Sequence, residues 1–241
     1  MRDKTIAIHQ PNYIPWLGFF YKVAKCDIFV FHDDVQFSKK GMHNFHYIKS
    51  SNNLLRLKIP VLHKHGQLIN EIVTKDELNW QNNHLNLIEE NYRKAPYFKE
   101  VYEDFSLLIN KKHTSLSELN IDIIKFISHK FGLFPQFINA SELNLTTFKE
   151  EKVIDLIKNL EGTIYYSGIG AKAYQTESNF QACGIRLKYS TFNPFTYPQQ
   201  FEPYESNVCV LDYLMNCAYD CYRVIQNQIN NEGSASDKNR R

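Results

Sequence analysis

Residues 6–49 read IAIHQPNYIPWLGFFYKVAKCDIFVFHDDVQFSKKGMHNFHYIK, and the order of residue types in this stretch decides the fold. The apolar run Ile6–Ile8 meets His9 and Gln10 and then Pro11. Proline has no N–H and a fixed φ, so a buried strand stops there and the chain turns. Pro15 suits the first turn of a helix, and Trp16, Phe19, Phe20 and Val23 then recur at helical spacing. After Cys26-Asp27 the segment Ile28–Phe31 is β-branched and aromatic, which predicts a second buried strand, and it ends in His32-Asp33-Asp34. Strand, helix, strand, with polar groups at each strand end, predicts an α/β protein. Its central sheet should be largely parallel, Rossmann-like or mixed, under a helical cover. In such sheets ligands bind outside the carboxyl ends of the strands. That rule would gather His9, Gln10, Asp33 and Asp34 around one site.

Working outward, Leu54–Val61 alternates as a strand does, and Ile69–Val73 reads as another short strand pairing back as a hairpin. Between them His63-Lys64-His65-Gly66 forms a polar turn. Two histidines with no further His or Cys beside them fit a solvated turn better than a metal site, so no metal is expected. Apolar residues then recur at helical intervals over Trp80–Tyr92, Tyr97–Ile109 and Leu116–Phe131, a helical insertion covering about residues 78–132. Phe137-Ile138 suggests a strand and Lys149–Leu160 a helix. A second polar-rich segment follows: the strand Ile164–Tyr166 leads into Ser167-Gly168-Ile169-Gly170. Its glycines permit close backbone approach and offer N–H groups to an anion, although the GK[ST] of a P-loop is missing. Gly184–Tyr189 predicts a further strand and Val208–Cys217 the last helix. No repeat or linker divides residues 1–227, which are expected to form a single domain, with residues 228–241 a polar, disordered tail.

The totals exclude several classes. Hydrophobic residues are 43% and charged residues 22% of 241, an ordinary globular composition with enough length for a real core. The net charge of +2 includes no dense basic stripe, which argues against nucleic acid. No apolar run reaches the roughly 20 residues that span a bilayer, and Arg2, Asp3 and Lys4 precede too short an apolar run for a signal peptide. Five cysteines, at 26, 183, 209, 217 and 221, form no CxxC pair and predict reduced thiols in a cytoplasmic protein, not embedded in a membrane. The aromatic share of 14%, with 15 tyrosines and 17 phenylalanines, is high; much of it belongs to the core, but tyrosines also often line sugar and nucleoside pockets. The oligomeric state is not legible.

The combination HQPNYIPWLGFF, DDVQFSK, Asn44 and Ile48-Lys49 resembles the WbqC-like protein family. So do YSG-x-G-x-x-x-Tyr at Tyr166–Tyr174, Tyr197-Pro198-Gln199, and Asp212 with Asn216. That family is met among bacterial gene clusters for O-antigen, lipopolysaccharide and other surface-glycan biosynthesis. The resemblance implies acyl or aminoacyl transfer to an activated sugar. One departure stands out: the family tends to carry Asn-Arg where this chain has Asn44-Phe45. An arginine's work on a phosphate or carboxylate would then fall to another group, such as Lys39, Lys40 or Lys49.

Taken together these features predict an N-acyltransferase acting on the amine of a nucleotide-linked amino sugar, with acyl-CoA (acetyl-CoA) as donor. A nucleotidyl- or glycosyl-transfer enzyme is the alternative, and a non-catalytic glycan- or partner-binding protein the second. His9, titrating near neutral pH, is the expected base, and Asp33 its orienter or a contact to the amine. Substrate contacts are expected from Gln10, Tyr13, Asp34, Gln36, Lys39, Asn44, Ser167, Gly168, Tyr174, Tyr197 and Gln199. The two polar-rich segments should therefore face one cleft. Cys26 is the cysteine best placed to be an acyl-transfer nucleophile, although a buried free thiol is the commoner role.

Overall fold

The fold is taken from a computed structural model, which describes residues 2–220 and 223–229. The expected tail falls outside these from residue 230 onward, while residues 223–229 are helical. The first unit is β1 (Thr5–His9), α1 (Leu17–Ala24) and β2 (Ile28–Phe31), as the prolines and apolar runs predict. An antiparallel hairpin follows, β3 (Phe45–Lys49) with β4 (Leu54–Lys58). A two-residue pair, β5 (Val61–Leu62) with β6 (Val73–Thr74), comes next. The strand expected over Ile69–Val73 is instead a 3-10 turn at Ile69–Glu71 followed by β6. Ile69 and Ile72 are buried there through the turn, so their apolar character does not come from a pleat.

The helical insertion is α2 (Trp80–Tyr92), α3 (Phe98–Asn110) and α4 (Leu116–Lys130). Ser115 caps α4 by accepting from the Glu118 N–H. Then come β7 (Gln136–Asn139), α5 (Lys149–Asn159), β8 (Ile164–Ser167), α6 (Glu177–Ala182), β9 (Arg186–Tyr189) and α7 (Val210–Cys217). The sheet order is β7-β2-β1-β8-β9 and every pairing in it is parallel. In chain order these strands run outward one way from β1 and then resume on its other side at β8. The strand order therefore reverses between β1 and β8, where doubly wound folds hold their ligands.

Strand alternation divides the sheet residues between two cores. Ala7, Phe29, Phe31 and Tyr166 pack with α1, the helical insertion and α7 on one face. Ile6, Ile8, Ile28, Val30 and Tyr165 pack with α5 and α6 on the other. Gly162 closes the second layer: a Cβ there would meet Ile6 Cγ1 at 2.4 Å and Ile157 Cγ2 at 2.8 Å. Among the described residues no helix is long and apolar enough to cross a membrane.

Candidate functional site

The loop from Gln10 to Trp16 leaves β1 at the reversal point, and its backbone is tightly held. Ile14, a β-branched residue, has φ 41°, a conformation that costs about 1–3 kcal/mol. The amide of Tyr13 donates to the Met42 carbonyl at 2.9 Å, and that of Val210 to the Pro15 carbonyl at 3.0 Å. Asn120 of α4 donates through Nδ2 to the carbonyls of Pro11 at 3.0 Å and His43 at 2.7 Å. The helical insertion thus fixes the loop.

His9 ends β1. Its Nδ1–H donates to the Gln10 carbonyl at 2.9 Å, which leaves the Nε2 lone pair as the acceptor. The ring lies edge-on to Phe19 of α1, 4.8 Å between centroids. Burial first, then the nearby Lys22, His43 and His32, holds its pKa down to about 3, so His9 is neutral at physiological pH. Lys22 is itself buried, donating to the Ile8 carbonyl at 2.6 Å, and burial brings its pKa down to about 7. Ser167 ends the neighbouring β8. The register Ala7↔Tyr166 puts the Cα atoms of His9 and Ser167 roughly 6 Å apart on the usual strand spacing. Their side chains point to opposite faces, because His9 follows the parity of Ala7 and Ser167 that of Tyr165. Ser167 is buried, its hydroxyl 3.4 Å from that of Tyr165, and Gly168 stands where an added Cβ would meet nothing within 4 Å.

The two aspartates separate. Asp33 accepts the Ser141 N–H at 3.0 Å and the Ser141 hydroxyl at 2.6 Å, tying the end of β2 to the turn after β7. Burial raises its pKa while both bonds oppose the rise. Its two oxygens are thus taken up by Ser141, and what orients His9 is the Gln10 carbonyl. Asp34 accepts from Lys152 of α5 at 2.6 Å, and its Oδ1 lies 3.9 Å from His32 Nε2. That Oδ1 and that Nε2 are buried without a hydrogen-bond partner among the described residues.

The remaining expected contacts disperse, so a single cleft does not form. Tyr13 is in the core, its hydroxyl 2.9 Å from His84 Nδ1. Tyr174 is 84% exposed. The bridge between Gln36 and Leu68 carries the strand-end loop away from β1, so Gln36 and Lys39 flank a hollow with Ser38 and His63–Gly66. Lys39 and Asn44 line a second hollow with Arg56, Lys58, His63 and Lys75. Asn44 is buried there and donates to the Ile59 carbonyl at 2.8 Å. The guanidinium of Arg56 lies over the Phe45 ring, 3.7 Å from its centroid.

Tyr197 and Gln199 belong to a buried network on α7. Asp212, fully buried, accepts from Tyr92 at 2.7 Å, Tyr197 at 2.9 Å and Gln199 Nε2 at 2.7 Å. Lys49, also buried, donates to Gln199 Oε1 at 2.9 Å and to the carbonyl of Phe201. Burial raises the pKa of Asp212 against its three donors and Lys49, and also raises that of Tyr197. Above this network is a cavity of about 450 Å³. Trp16 just before α1, Leu17 of its first turn, Tyr47 of β3, Phe192, Phe195 and Tyr197 after β9, and Tyr213 of α7 line it. Because α1 begins where β1 has ended, the cavity opens at the carboxyl edge of the sheet. Its walls are aromatic, and of its tyrosine hydroxyls Tyr197 donates to Asp212, Tyr204 to the Phe195 carbonyl at 2.9 Å and Tyr213 to the Asp220 carbonyl at 3.3 Å.

Sequence reasoning missed Lys22, His32 and Lys152, whose importance lies in burial beside charge, and His46. His46 is buried beside the cavity, its Nδ1 accepting from the Tyr47 N–H at 2.9 Å. Cys26 lies at the opposite, amino edge of the sheet, just before β2. Its thiol donates to the Val23 carbonyl at 3.3 Å and burial raises its pKa, so it is no nucleophile for a group at His9. No cluster of three or more His, Cys, Asp or Glu suited to a metal occurs among the described residues.

The family model described as the WbqC-like protein family matches residues 10–224. The chain is 32% identical over 217 residues to an uncharacterized protein of Mycobacterium tuberculosis (Rv1507c), covering 88% of this chain and 94% of that one. No solved structure matches it.

Proposed function

The chain belongs to the WbqC-like protein family, and within it we propose that this member is a transferase that places an acyl group on the amine of a nucleotide-linked amino sugar. The observation that carries the reading is the aromatic cavity between the start of α1, β3, the segment after β9 and α7. Rings packed edge to face, Trp16 on Phe192 and Phe195 on Tyr197 and Tyr213, give apolar walls that suit a nucleobase or the C–H face of a sugar, and the carboxyl edge of a doubly wound sheet is a usual place for a ligand. An acyl-CoA such as acetyl-CoA is the donor in this reading, and surface-glycan assembly the setting that the resemblance supports.

The amine nitrogen attacks the thioester carbonyl, the C–N bond forms, the C–S bond breaks, and the amine proton passes to a base and then to the leaving thiolate. His9 is that base: neutral, with Nδ1–H fixed on Gln10 and Nε2 free. It packs on Phe19 in the helix whose first turn lines the cavity. Its depressed pKa keeps the ring unprotonated at neutral pH and makes it a weaker base than a free imidazole. Apolar walls favour the uncharged amine that attacks.

Titrating the protein with a nucleoside-diphosphate amino sugar tests binding. At a hundredfold excess over Kd the melting temperature should rise by about 5 °C or more, and Trp16→Ala should abolish that rise. With the true pair of substrates, His9→Asn should lower kcat about 10²–10⁴-fold and move the melting temperature by a few degrees at most. A fully active His9→Asn removes the base assignment. Turnover with a nucleoside triphosphate and a divalent metal, and none with any acyl thioester, would move the reading to nucleotidyl transfer.

A further inference from the structure

The hollow that Lys39 and Asn44 share with Arg56, Lys58, His63 and Lys75 has a volume of about 450 Å³. Four of its lining side chains are lysine or arginine, one is histidine, and none is acidic. This segregation does not follow from a basic protein, since 28 basic residues face 26 acidic ones in the whole chain. Lys39, Arg56, Lys58 and Lys75 make no ion pair among the described residues, while Lys75 is half-buried. The acid next in sequence to Lys75, Asp76, is taken up by Thr74 and by the Trp80 indole N–H, both at 2.8 Å. Like charges gathered in a concavity raise each other's energy, and a multivalent anion relieves it. Arg56, stacked on Phe45, holds the planar fork that fits phosphate oxygens in pairs.

The hairpin links this hollow to the aromatic cavity. Tyr47 and Arg56 are direct cross-strand partners on one face of β3 and β4, and so are Phe45 and Lys58. Tyr47 lines the aromatic cavity and Arg56 the basic hollow. The two cavities therefore approach each other across one residue pair, about 5 Å between Cα atoms.

We infer that the basic hollow is a pyrophosphate subsite, binding the diphosphate link of the ligand whose rings occupy the aromatic cavity. This rests on the proposed acyl-transfer reading for the identity of the ligand, but not for the binding of pyrophosphate itself. Two reactants of that reaction carry the same linkage, the nucleoside-diphosphate sugar and coenzyme A.

Inorganic pyrophosphate is the first probe, titrated calorimetrically into the full chain. Binding should be measurable and should weaken at least tenfold in Arg56→Gln and further in Arg56→Gln/Lys75→Gln. Circular dichroism should be unchanged, because neither side chain is in the core. Pyrophosphate affinity equal in wild type and both variants, or no binding to wild type at millimolar concentration, overturns the inference. A nucleoside-diphosphate amino sugar and coenzyme A are then titrated separately; the ester whose affinity falls in Arg56→Gln is the one seated there. If pyrophosphate responds to the substitutions and neither ester binds the wild type, the subsite stands and the acyl-transfer reading falls. If the ester that stabilises wild type responds to Trp16→Ala but not to Arg56→Gln, the subsite falls and the aromatic-cavity reading stands.

Discussion

Asp33 and Asp212 are both buried carboxylates, yet substitution should act on them differently from His9. Asp33 accepts two bonds from Ser141, so Asp33→Ala leaves one backbone N–H and one hydroxyl short of a partner. A loss of about 1–3 kcal/mol in urea unfolding is expected. Activity per folded molecule should fall less than for His9→Asn, since both carboxylate oxygens are taken up by Ser141. Asp212 holds two tyrosine hydroxyls and a glutamine amide, and balances the buried Lys49. Asp212→Ala strands all of them, and about 3–5 kcal/mol is the usual cost of breaking such a buried charged network. Equal stability for these two variants would show that the Asp212 network opens to water. Both residues carry motif positions, and their types do not distinguish a reacting carboxylate from one that holds tyrosines in place. What distinguishes them is the partner, which lies 108 residues away for Asp33 and up to 120 for Asp212.

At the scale of elements, β1, α1 and β2 were legible because Pro11 and Pro15 punctuate apolar runs of the right lengths, and the boundaries follow from local chemistry. The hairpin strand β3 was not. Its sequence FHYIK carries histidine and lysine, yet four of its five residues are buried, with Lys49 satisfied by Gln199, 150 residues on. Burial of that kind is decided by tertiary partners, so hydropathy misplaces it. The same blindness hid His46 and Lys22, and made Tyr13 look like a ligand contact when His84 completes it in the core. Dispersal of the expected cleft has a similar cause: the strand-end loop after β2 is drawn off by β5, β6 and the Ile69–Glu71 turn, which short-range pattern does not encode. One element-level prediction concerns α1. A Cβ on Gly18 would come within 2.3–2.6 Å of the far edge of the Trp16 indole, a side chain 42% exposed that must shift from its edge-on contact with Phe192. Gly18→Ala should keep or raise stability by up to about 1 kcal/mol, from helix propensity. By moving Trp16 it should weaken ligands of the aromatic cavity tenfold or more. Unchanged affinity in that variant would mean that Trp16 does not contact the ligand.

The molecule holds five histidines neutral, His43, His46 and His84 buried and His9 and His32 half-buried. Burial holds His9 down to about 3 and His32, His43, His46 and His84 each to about 4. Unfolded, each would titrate near about 6.5. The folded state therefore binds fewer protons than the unfolded state between these values, and stability rises with pH across that window. The contribution is complete above about pH 6.5 and is lost as pH falls through about 4. Each proton adds about 1.4 kcal/mol per pH unit, but His32 and His43 each act on His9, so the slope stays below the sum of five independent sites. Asp33 and Asp212, with raised pKa values, act in the opposite sense at the lower end. Lys22 extends the trend upward: its folded pKa of about 7 lies below the unfolded value, so its part is regained as pH climbs from about 7 towards 10. The melting temperature should accordingly fall steeply from pH 6.5 to 4.5 and continue to rise gently above pH 7. Calorimetry across that range, with two buffers of different ionisation enthalpy, reads the proton uptake on unfolding directly. A flat profile between pH 6.5 and 4.5 would contradict the burial of these imidazoles. Lys22→Met isolates the upper limb. It removes a cation that the fold buries at a cost, so the rise above pH 7 should vanish while stability at pH 7 stays at or above that of wild type. A variant that instead loses several kcal/mol at pH 7 would show that the bond from Nζ to the Ile8 carbonyl outweighs the desolvation of the charge.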